Sequence, residues 1–405
     1  MTSRPDLLFL AHRVPYPPDK GDRIRTFHLL KMLTQHAKVH LAALADEPVP
    51  DETRRVLDGI CERVTIAPLG GGRWLRGLGS LIRGNSISEG VFRSSELART
   101  LKSWSAETPF RAALASASSV APYLCIGGLA KVPAVIDLVD VDSQKWFDYA
   151  ATSSIPRSWL YRLEGRRLRR TERAISSWAE AVTLVSDAEA GLFRDIAPQA
   201  HIQAATNGVD LDYYRPDAIP NPNVAELARE CVFVGAFDYR PNVDAAVWFV
   251  REIWPEVRRR QPAARFRLVG RNPAKVVRQL AGVPGVEVLG TVPDVRPFLR
   301  SAAVVVAPLR IARGLQNKVL EALAMGNAVV ASPQALAGFR SDVPAVKAVN
   351  PQEWSDAICR LLTNADERCR LGEQGRAFAE AHHDWKCCLE PFHELLGLVG
   401  PDMST

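Results

Sequence analysis

Short runs of wholly apolar residues alternate with helical patterns along the whole of this 405-residue chain. The first series of runs is Leu7–Ala11, Val39–Ala45, Val64–Ala67, Ala112–Ala117, Ala134–Leu138, Ala181–Val185 and Ile202–Ala205. A second series follows at Val232–Gly235, Phe266–Val269, Val286–Leu289, Val304–Ala307 and Val329–Ala331. The runs do not alternate apolar with polar, so each reads as a strand covered on both faces. Helical stretches between them make βαβ units and parallel sheets. The Pro- and Asn-rich stretch from Asp212 to Asn223 reads as the break between the two series. The pattern predicts an α/β chain of two Rossmann-like, doubly wound domains, residues 1–215 and 216–384. A ligand is expected in a cleft at the carboxyl ends of the strands.

Length agrees, because roughly 400 residues exceed one core and suit two domains of roughly 150–200. No apolar run approaches the roughly 18–20 residues of a membrane-spanning helix. The run Leu7–Ala11 is too short for a signal-peptide core and is followed by Pro15, Pro17 and Pro18, so a cytoplasmic location is expected. Seven cysteines, an odd number without a Cys-x-x-Cys pair, argue against a disulfide framework or a zinc cluster. The net charge of +6 fits a protein that handles phosphates or lies near an anionic membrane. Basic residues concentrate at Arg162, Arg166, Arg167, Arg169, Arg170 and Arg173, opposed only by Glu164 and Glu172. A solvated helix face is the ordinary reading of such a run. The sharper one is contact with an anionic membrane or a lipid-phosphate acceptor. Nothing resembling a nucleic-acid reading module accompanies it.

Chemistry concentrates in Pro308–Gly326. This segment leaves the strand Val304–Ala307, and Gly314 is expected to open a helix with Leu315, Val319 and Leu323 on its buried face. A glycine before a helix lets the backbone N–H groups of Gly314, Leu315 and Gln316 approach a phosphate, and the helix dipole adds attraction for the anion. Lys318 can then neutralise a diphosphate, and Glu321 is an acceptor suited to a ribose hydroxyl pair. Gly326 ends the helix before the next strand. In the first domain, Gly21 sits between the first strand and a helix beginning near Asp22. The run Asp137-Leu138-Val139-Asp140-Val141-Asp142 closes a strand at the expected cleft. Its carboxylates admit acid/base work or metal binding, but no third metal ligand is evident. Asp142 is also placed to cap the next helix. No Gly-x-Ser-x-Gly nucleophile motif occurs, and His382-His383 read as surface or packing residues.

The run Val319-Leu320-Glu321-Ala322-Leu323-Ala324-Met325-Gly326-Asn327-Ala328-Val329-Val330 resembles the donor-site signature of family-4 retaining glycosyltransferases, whose fold is called GT-B. Asn207-Gly208-Val209-Asp210-Leu211-Asp212-Tyr213-Tyr214-Arg215-Pro216 is similar to that family's inter-domain segment, and Val232–Gly235 and Leu268–Gly270 to its first donor-domain strands. The N-terminal run His12–Arg25 resembles a narrower subgroup, the sugar transferases associated with exosortase (PEP-CTERM) and exopolysaccharide loci.

The resemblance implies a metal-independent, retaining hexosyltransferase without cofactor, moving a sugar from a nucleoside diphosphate donor to a glycan or lipid-linked hydroxyl acceptor. It places the last helix, residues 385–400, back on the first domain. Glu321 matches the ribose-binding glutamate of the signature; the other glutamate position holds Arg313, which is left to touch the diphosphate. After the first donor-domain strand the family usually carries an Arg and a Lys, whereas here Ala236 and Asn242 stand near those places and Arg240 is the nearest base. Asp140 falls where the family often has a cleft His or Asp. The expected site thus has Asp140, Lys318 and Arg240 as catalytic residues. Gly21, Arg240, Thr291, Val292, Arg313, Gly314, Leu315, Gln316, Lys318 and Glu321 hold the donor, and Asp22, Arg25 and Asp142 lie on the acceptor side. The rival readings are a nucleotide-sugar epimerase of the same fold and a non-catalytic two-lobed sugar-binding protein. A dinucleotide dehydrogenase is disfavoured because no Gly-x-Gly-x-x-Gly follows a strand.

Overall fold

A computed structural model describes residues 4–18, 21–219, 229–340 and 342–398. Asp19, Lys20, the side chain of Asp22 and the end of the Pro/Asn-rich stretch from Pro220 onward lie outside the described residues. The chain divides into two compact units, Met1–Thr206 with Leu389–Thr405, and Asn207–Cys388.

The first unit is built on a seven-stranded parallel sheet of order β3-β2-β1-β4-β5-β6-β7. Its strands are β1 (Asp6–Ala11), β2 (Lys38–Ala45), β3 (Arg63–Pro68), β4 (Ala112–Ser116), β5 (Ala134–Val139), β6 (Ala181–Leu184) and β7 (Ile202–Ala204). The helices are α1 (Gly21–His36), α2 (Asp51–Ile60), α3 (Arg73–Ile82), α4 (Ile87–Val91), α5 (Ser95–Glu107), α6 (Asp142–Ala151), α7 (Arg157–Ser176) and α8 (Asp187–Ile196). The apolar runs become strands because helices on both faces need apolar neighbours: Leu8, Leu10, Ala42, Leu44, Ala113 and Ile136 share one core. Strand order reverses between β1 and β4, the switch point at which such sheets hold ligands.

The second unit holds a six-stranded parallel sheet of order β10-β9-β8-β11-β12-β13. Its strands are β8 (Glu230–Val234), β9 (Arg265–Val269), β10 (Val286–Gly290), β11 (Val304–Ala307), β12 (Val329–Ala331) and β13 (Val346–Lys347). Its switch point lies between β8 and β11. An aromatic cluster of Phe249, Trp254, Phe266 and Trp354 fills the core, with the Phe249 and Phe266 rings 4.5 Å apart.

Among the described residues, the one strand the sequence pattern missed is β13, a two-residue pairing with β12 that carries no apolar run. Two helix expectations are corrected. The helix expected to open at Gly314 spans Asn317–Ala324. The terminal segment forms two short helices, Trp385–Leu389 and Pro391–Leu395, rather than one, because Pro391 has no N–H to continue the ladder. None of the seven cysteines is in a disulfide.

Candidate active site

In the second unit, three segments converge at the carboxyl ends of β8 and β11. Gly235 follows β8 and its carbonyl packs against Gly270: a Cβ on Gly270 would stand 1.7 Å from the Gly235 oxygen. Asn242 and Lys318 pack closely on Gly235 itself: a Cβ there would stand 2.9 Å from Asn242 Nδ2 and 3.4 Å from Lys318 Nζ. Gly314 adopts φ 58°, a left-handed turn that glycine takes without strain, and its carbonyl would lie 2.4 Å from a Cβ on Gly338. Two residues later Gln316 caps the helix Asn317–Ala324 without a side-chain bond of its own to the helix backbone. Its Nε2 donates instead to the Arg313 carbonyl at 2.8 Å. The first N–H groups of this helix thus face away from intrahelical partners, as at any helix start.

Lys318 and Glu321 rise from this helix. Lys318 Nζ donates to Asn242 Oδ1 and lies 5.2 Å from the centre of the Phe233 ring. Asn242 is itself fixed by donating from Nδ2 to the Ala236 carbonyl at 2.9 Å. Loss of solvation pulls the Lys318 amine down to about 8, with Glu321 opposing the shift. Glu321 accepts a hydrogen bond from Tyr214, and burial pushes its carboxyl up to about 6 against the pull of Tyr214 and Lys318. Tyr214 is raised in turn, first by burial and then by the Glu321 charge beside it. The opposite helix face carries Val319 and Leu323 in the core, as their spacing predicted, while Leu315 is buried just ahead of the helix cap.

Thr291 and Val292 lie on the loop after β10, Thr291 exposed and Val292 packed on the core. The next residues tie that loop to Tyr213: its hydroxyl donates to Asp294 at 3.3 Å, and the Arg296 guanidinium stacks 3.8 Å over its ring. Arg313 is half-buried on the loop before the helix. Arg240, grouped with Lys318 in the sequence reading, begins the helix Arg240–Trp248 and lines a concavity of about 640 Å³ with Asp244, Trp248, Arg251 and Arg310. Arg310 and Asp244 form a two-bond ion pair there, at 2.9 and 2.5 Å. Asn242, not Arg240, meets Lys318. Asn242, Tyr214, Phe233, Asp294 and Arg296 were not assigned to the site from sequence. In the sequence Asn242 stands out as a departure from the expected lysine, and Tyr214 lies in the run similar to the inter-domain segment.

In the first unit, Gly21 is the exposed first residue of α1 rather than part of the preceding loop. Arg25, expected on the acceptor side, is instead 1% exposed and committed to structure. Its Nε and Nη2 donate to the two Asp137 oxygens at 2.7 and 2.9 Å, its Nη1 donates to the Thr206 carbonyl, and Thr183 supplies a further donor to Asp137. A buried carboxylate with two donors from guanidinium leaves that side chain no free face for an acceptor. Asp140 follows β5 where Val139 has φ 67°. Glu189 accepts from the Val141 N–H at 2.8 Å and Glu172 from the Ser143 N–H at 2.9 Å, so two acids fix this turn. Asp142 starts α6 without capping it through its side chain, and its Oδ2 accepts from the Ser118 hydroxyl at 3.2 Å. His383, read from sequence as a packing residue, is buried between Phe339 and Phe378, with Nδ1 2.8 Å from the Asn207 carbonyl. Among the described residues, no helix is long and apolar enough to cross a membrane.

Residues 228–364, which contain every part of the Lys318–Glu321 arrangement except Tyr214, match the family described as Glycosyl transferases group 1. No curated protein sequence matches the chain. Among solved structures, the chain is similar to Anabaena Alr3699/HepE in complex with UDP, at 14% identity and a TM-score of 0.68 over 97% of this chain and 100% of that one. WaaG, a glycosyltransferase involved in lipopolysaccharide biosynthesis, is 15% identical with a TM-score of 0.67, covering 96% and 100%. TarM is 9% identical with a TM-score of 0.67, covering 98% and 99%. At such identities the likeness speaks for the fold. Residues 228–364 thus carry the similarity to the group 1 glycosyltransferases, in a chain whose two parallel-sheet units have the GT-B fold.

Proposed function

We propose that the protein is a retaining, metal-independent glycosyltransferase that moves a hexose-type unit from a nucleoside diphosphate sugar to a hydroxyl acceptor in cell-surface glycan synthesis, exopolysaccharide included. The observation that carries this is the Lys318–Glu321 pair beside Gly235, within the segment that matches the transferase family. UDP occupies the Anabaena relative, and UDP-glucose another structure of the same protein, which makes a nucleotide sugar the natural donor.

As the glycosidic bond breaks, negative charge grows on the leaving diphosphate. Lys318, held by Asn242, and the backbone N–H groups from Gly314 to Gln316 are aimed at that charge, with Arg313 and Arg240 as further bases in the same unit. Glu321, oriented by Tyr214, receives the ribose hydroxyls, and Thr291 and Val292 flank the base or sugar. No metal is required where a cation and oriented dipoles already supply the positive charge. Front-face attack, with the leaving phosphate taking the acceptor proton, preserves the anomeric configuration without a carboxylate nucleophile. Asp140 and Asp142, at the carboxyl end of β5 in the first unit, are the acceptor-side groups. A lipid-linked acceptor would place the enzyme at an inner-membrane surface, where the exposed Arg162, Arg166 and Arg170 of α7 supply electrostatic contact.

Calorimetric titration with UDP, GDP, ADP and TDP in the absence of metal tests the donor site. One nucleotide is expected to bind, and Glu321→Ala to weaken it at least about tenfold, the loss of one to two charge-assisted hydrogen bonds. A folded protein that binds none of the four would leave the cluster without a ligand and the reading without support.

A further inference from the structure

α3 is built inside out. Its buried positions are Gly77 and Ser80, while Trp74, Leu75, Leu78 and Ile82 are 65%, 76%, 55% and 81% exposed. At the 3.6-residue period these four lie on one stripe along a helix about 15 Å long. The small residues face inward because α4 crosses α3 at backbone contact: a Cβ on Gly90 would stand 2.5 Å from the Arg76 carbonyl and 2.5 Å from Ser80 Cβ. The pair is also firmly mounted. Ser86 and Glu89 close a capping box on α4, and Glu164 of α7 accepts from the Ile87 and Ser88 N–H groups at 2.7 and 2.9 Å. Arg167 of α7 donates to the Leu81 and Asn85 carbonyls at the far end of α3. An exposed apolar stripe of this size on an ordered helix is uncommon on a monomeric surface and marks an interaction site.

Charge identifies the occupant. Between Leu69 and Ser94 the chain has four arginines, Arg73, Arg76, Arg83 and Arg93, and one acid, Glu89. That acid is taken up by the α4 cap and by Thr171, whose hydroxyl donates to it at 2.7 Å. Arg76, Arg83 and Arg93 line a concavity of about 450 Å³ with Ser80 and Gly90, on the side of α3 that meets α4. On α7, Arg170 lies one turn from Arg167, Arg166 one turn from Arg170, and the 69%-exposed Trp159 two turns from Arg166, so a second tryptophan–arginine row adjoins α3. Tryptophan and aliphatic side chains ringed by arginine, with no free acid, match the boundary of an anionic bilayer, where apolar groups enter the acyl region and guanidinium groups meet phosphates.

We propose that α3 is an interfacial membrane anchor: its Trp74–Leu75–Leu78–Ile82 stripe enters the outer layer of an anionic bilayer, and Arg76, Arg83 and Arg93 hold a lipid phosphate. This deepens the peripheral-membrane part of the proposed function and does not depend on sugar transfer. The test uses the full chain, sedimented with phosphatidylglycerol-containing vesicles and with pure phosphatidylcholine vesicles. Binding is expected to the anionic vesicles. The triple variant Leu75→Ser, Leu78→Ser, Ile82→Ser is expected to bind about tenfold or more weakly, since it removes most of the inserted apolar surface. Being exposed, these positions can change without loss of core packing, so melting temperature and nucleotide affinity should stay at wild-type values; a failed donor site would show in the calorimetry and not in the sedimentation. Neutralising Arg83 and Arg93 with glutamine should remove the preference for anionic lipid. Wild-type binding by the triple variant, or no binding by the wild type, overturns the proposal. So does a wild type that sediments as a dimer without vesicles and becomes a monomer in the triple variant, which would make the stripe a self-association face.

Discussion

Lys318 and Glu321 are one turn apart and oppositely displaced, the amine down to about 8 and the carboxyl up to about 6, each mainly by burial. Both ionised forms are needed if the lysine is to attract a diphosphate and the glutamate is to accept ribose hydroxyls. Nucleotide affinity is therefore expected to be greatest between about pH 6 and 8. It should fall below that window as Glu321 takes a proton, and above it as Lys318 loses one. Titrations across pH 5 to 9 check this; Glu321→Gln should abolish the acidic limb and leave the alkaline one. That these two side chains share one helix was legible in the sequence, since the spacing to Gly314 and the resemblance both rest on local order. Asn242 and Tyr214 were not, because each meets its partner from a distant segment. Arg25 shows the opposite failure. An arginine early in α1 reads as a ligand group, yet tertiary structure supplies Asp137 from β5 and buries both.

At the scale of elements, the basic helix α7 is more than a solvated face. Arg162, Arg166, Arg170 and Arg173 are exposed, but Arg167 and Arg169 are tied to α3 and α6, Arg169 donating to Gln144 at 2.8 Å. The two acids that interrupt the basic run are buried and satisfy the first N–H groups of α4 and α6. Glu172 is pushed up to about 7, chiefly by burial, with the Asp142 charge adding to it. A carboxyl whose folded value is raised stabilises the fold fully below its unfolded value near 4.3, and that contribution is lost as pH rises through about 7. Glu172→Gln, which keeps an acceptor for Ser143, should flatten the pH dependence of the first unit's stability between pH 5 and 8 and raise its melting temperature at pH 8. Thermal unfolding at several pH values decides it. Periodicity located these helices but could not show which polar residues face inward, because that depends on neighbouring helix ends.

On the scale of the whole chain, the first unit is completed by residues far along the sequence. Leu389, Phe392 and Leu396 are buried, the Arg25 guanidinium lies 5.7 Å from the centre of the Phe392 ring, and the His393 and His36 rings meet edge to face at 4.5 Å. Each buried apolar side chain contributes about 1.5–3 kcal/mol. A chain ending at Cys388 is expected to melt at lower temperature in its first unit, while the second unit, continuous from Asn207, keeps its nucleotide affinity. Calorimetric unfolding with and without nucleotide separates the two; an unchanged melting profile would mean that the terminal segment adds no stability.

By itself the sequence determined the strands other than β13, their two series, their parallel pairing and the helix that carries Lys318 and Glu321, because each is set by local apolar runs and by glycines at turns. Tertiary structure decided the rest. It set the helix start at Asn317, where Gly314 and Gly338 pack backbone to backbone. It seated Lys318 on Asn242, enclosed Arg25 with Asp137, and turned the apolar side of α3 outward because Gly77 and Gly90 must touch. In each case the deciding neighbour is close in space and distant in sequence, and no periodicity along a single chain encodes such a pairing.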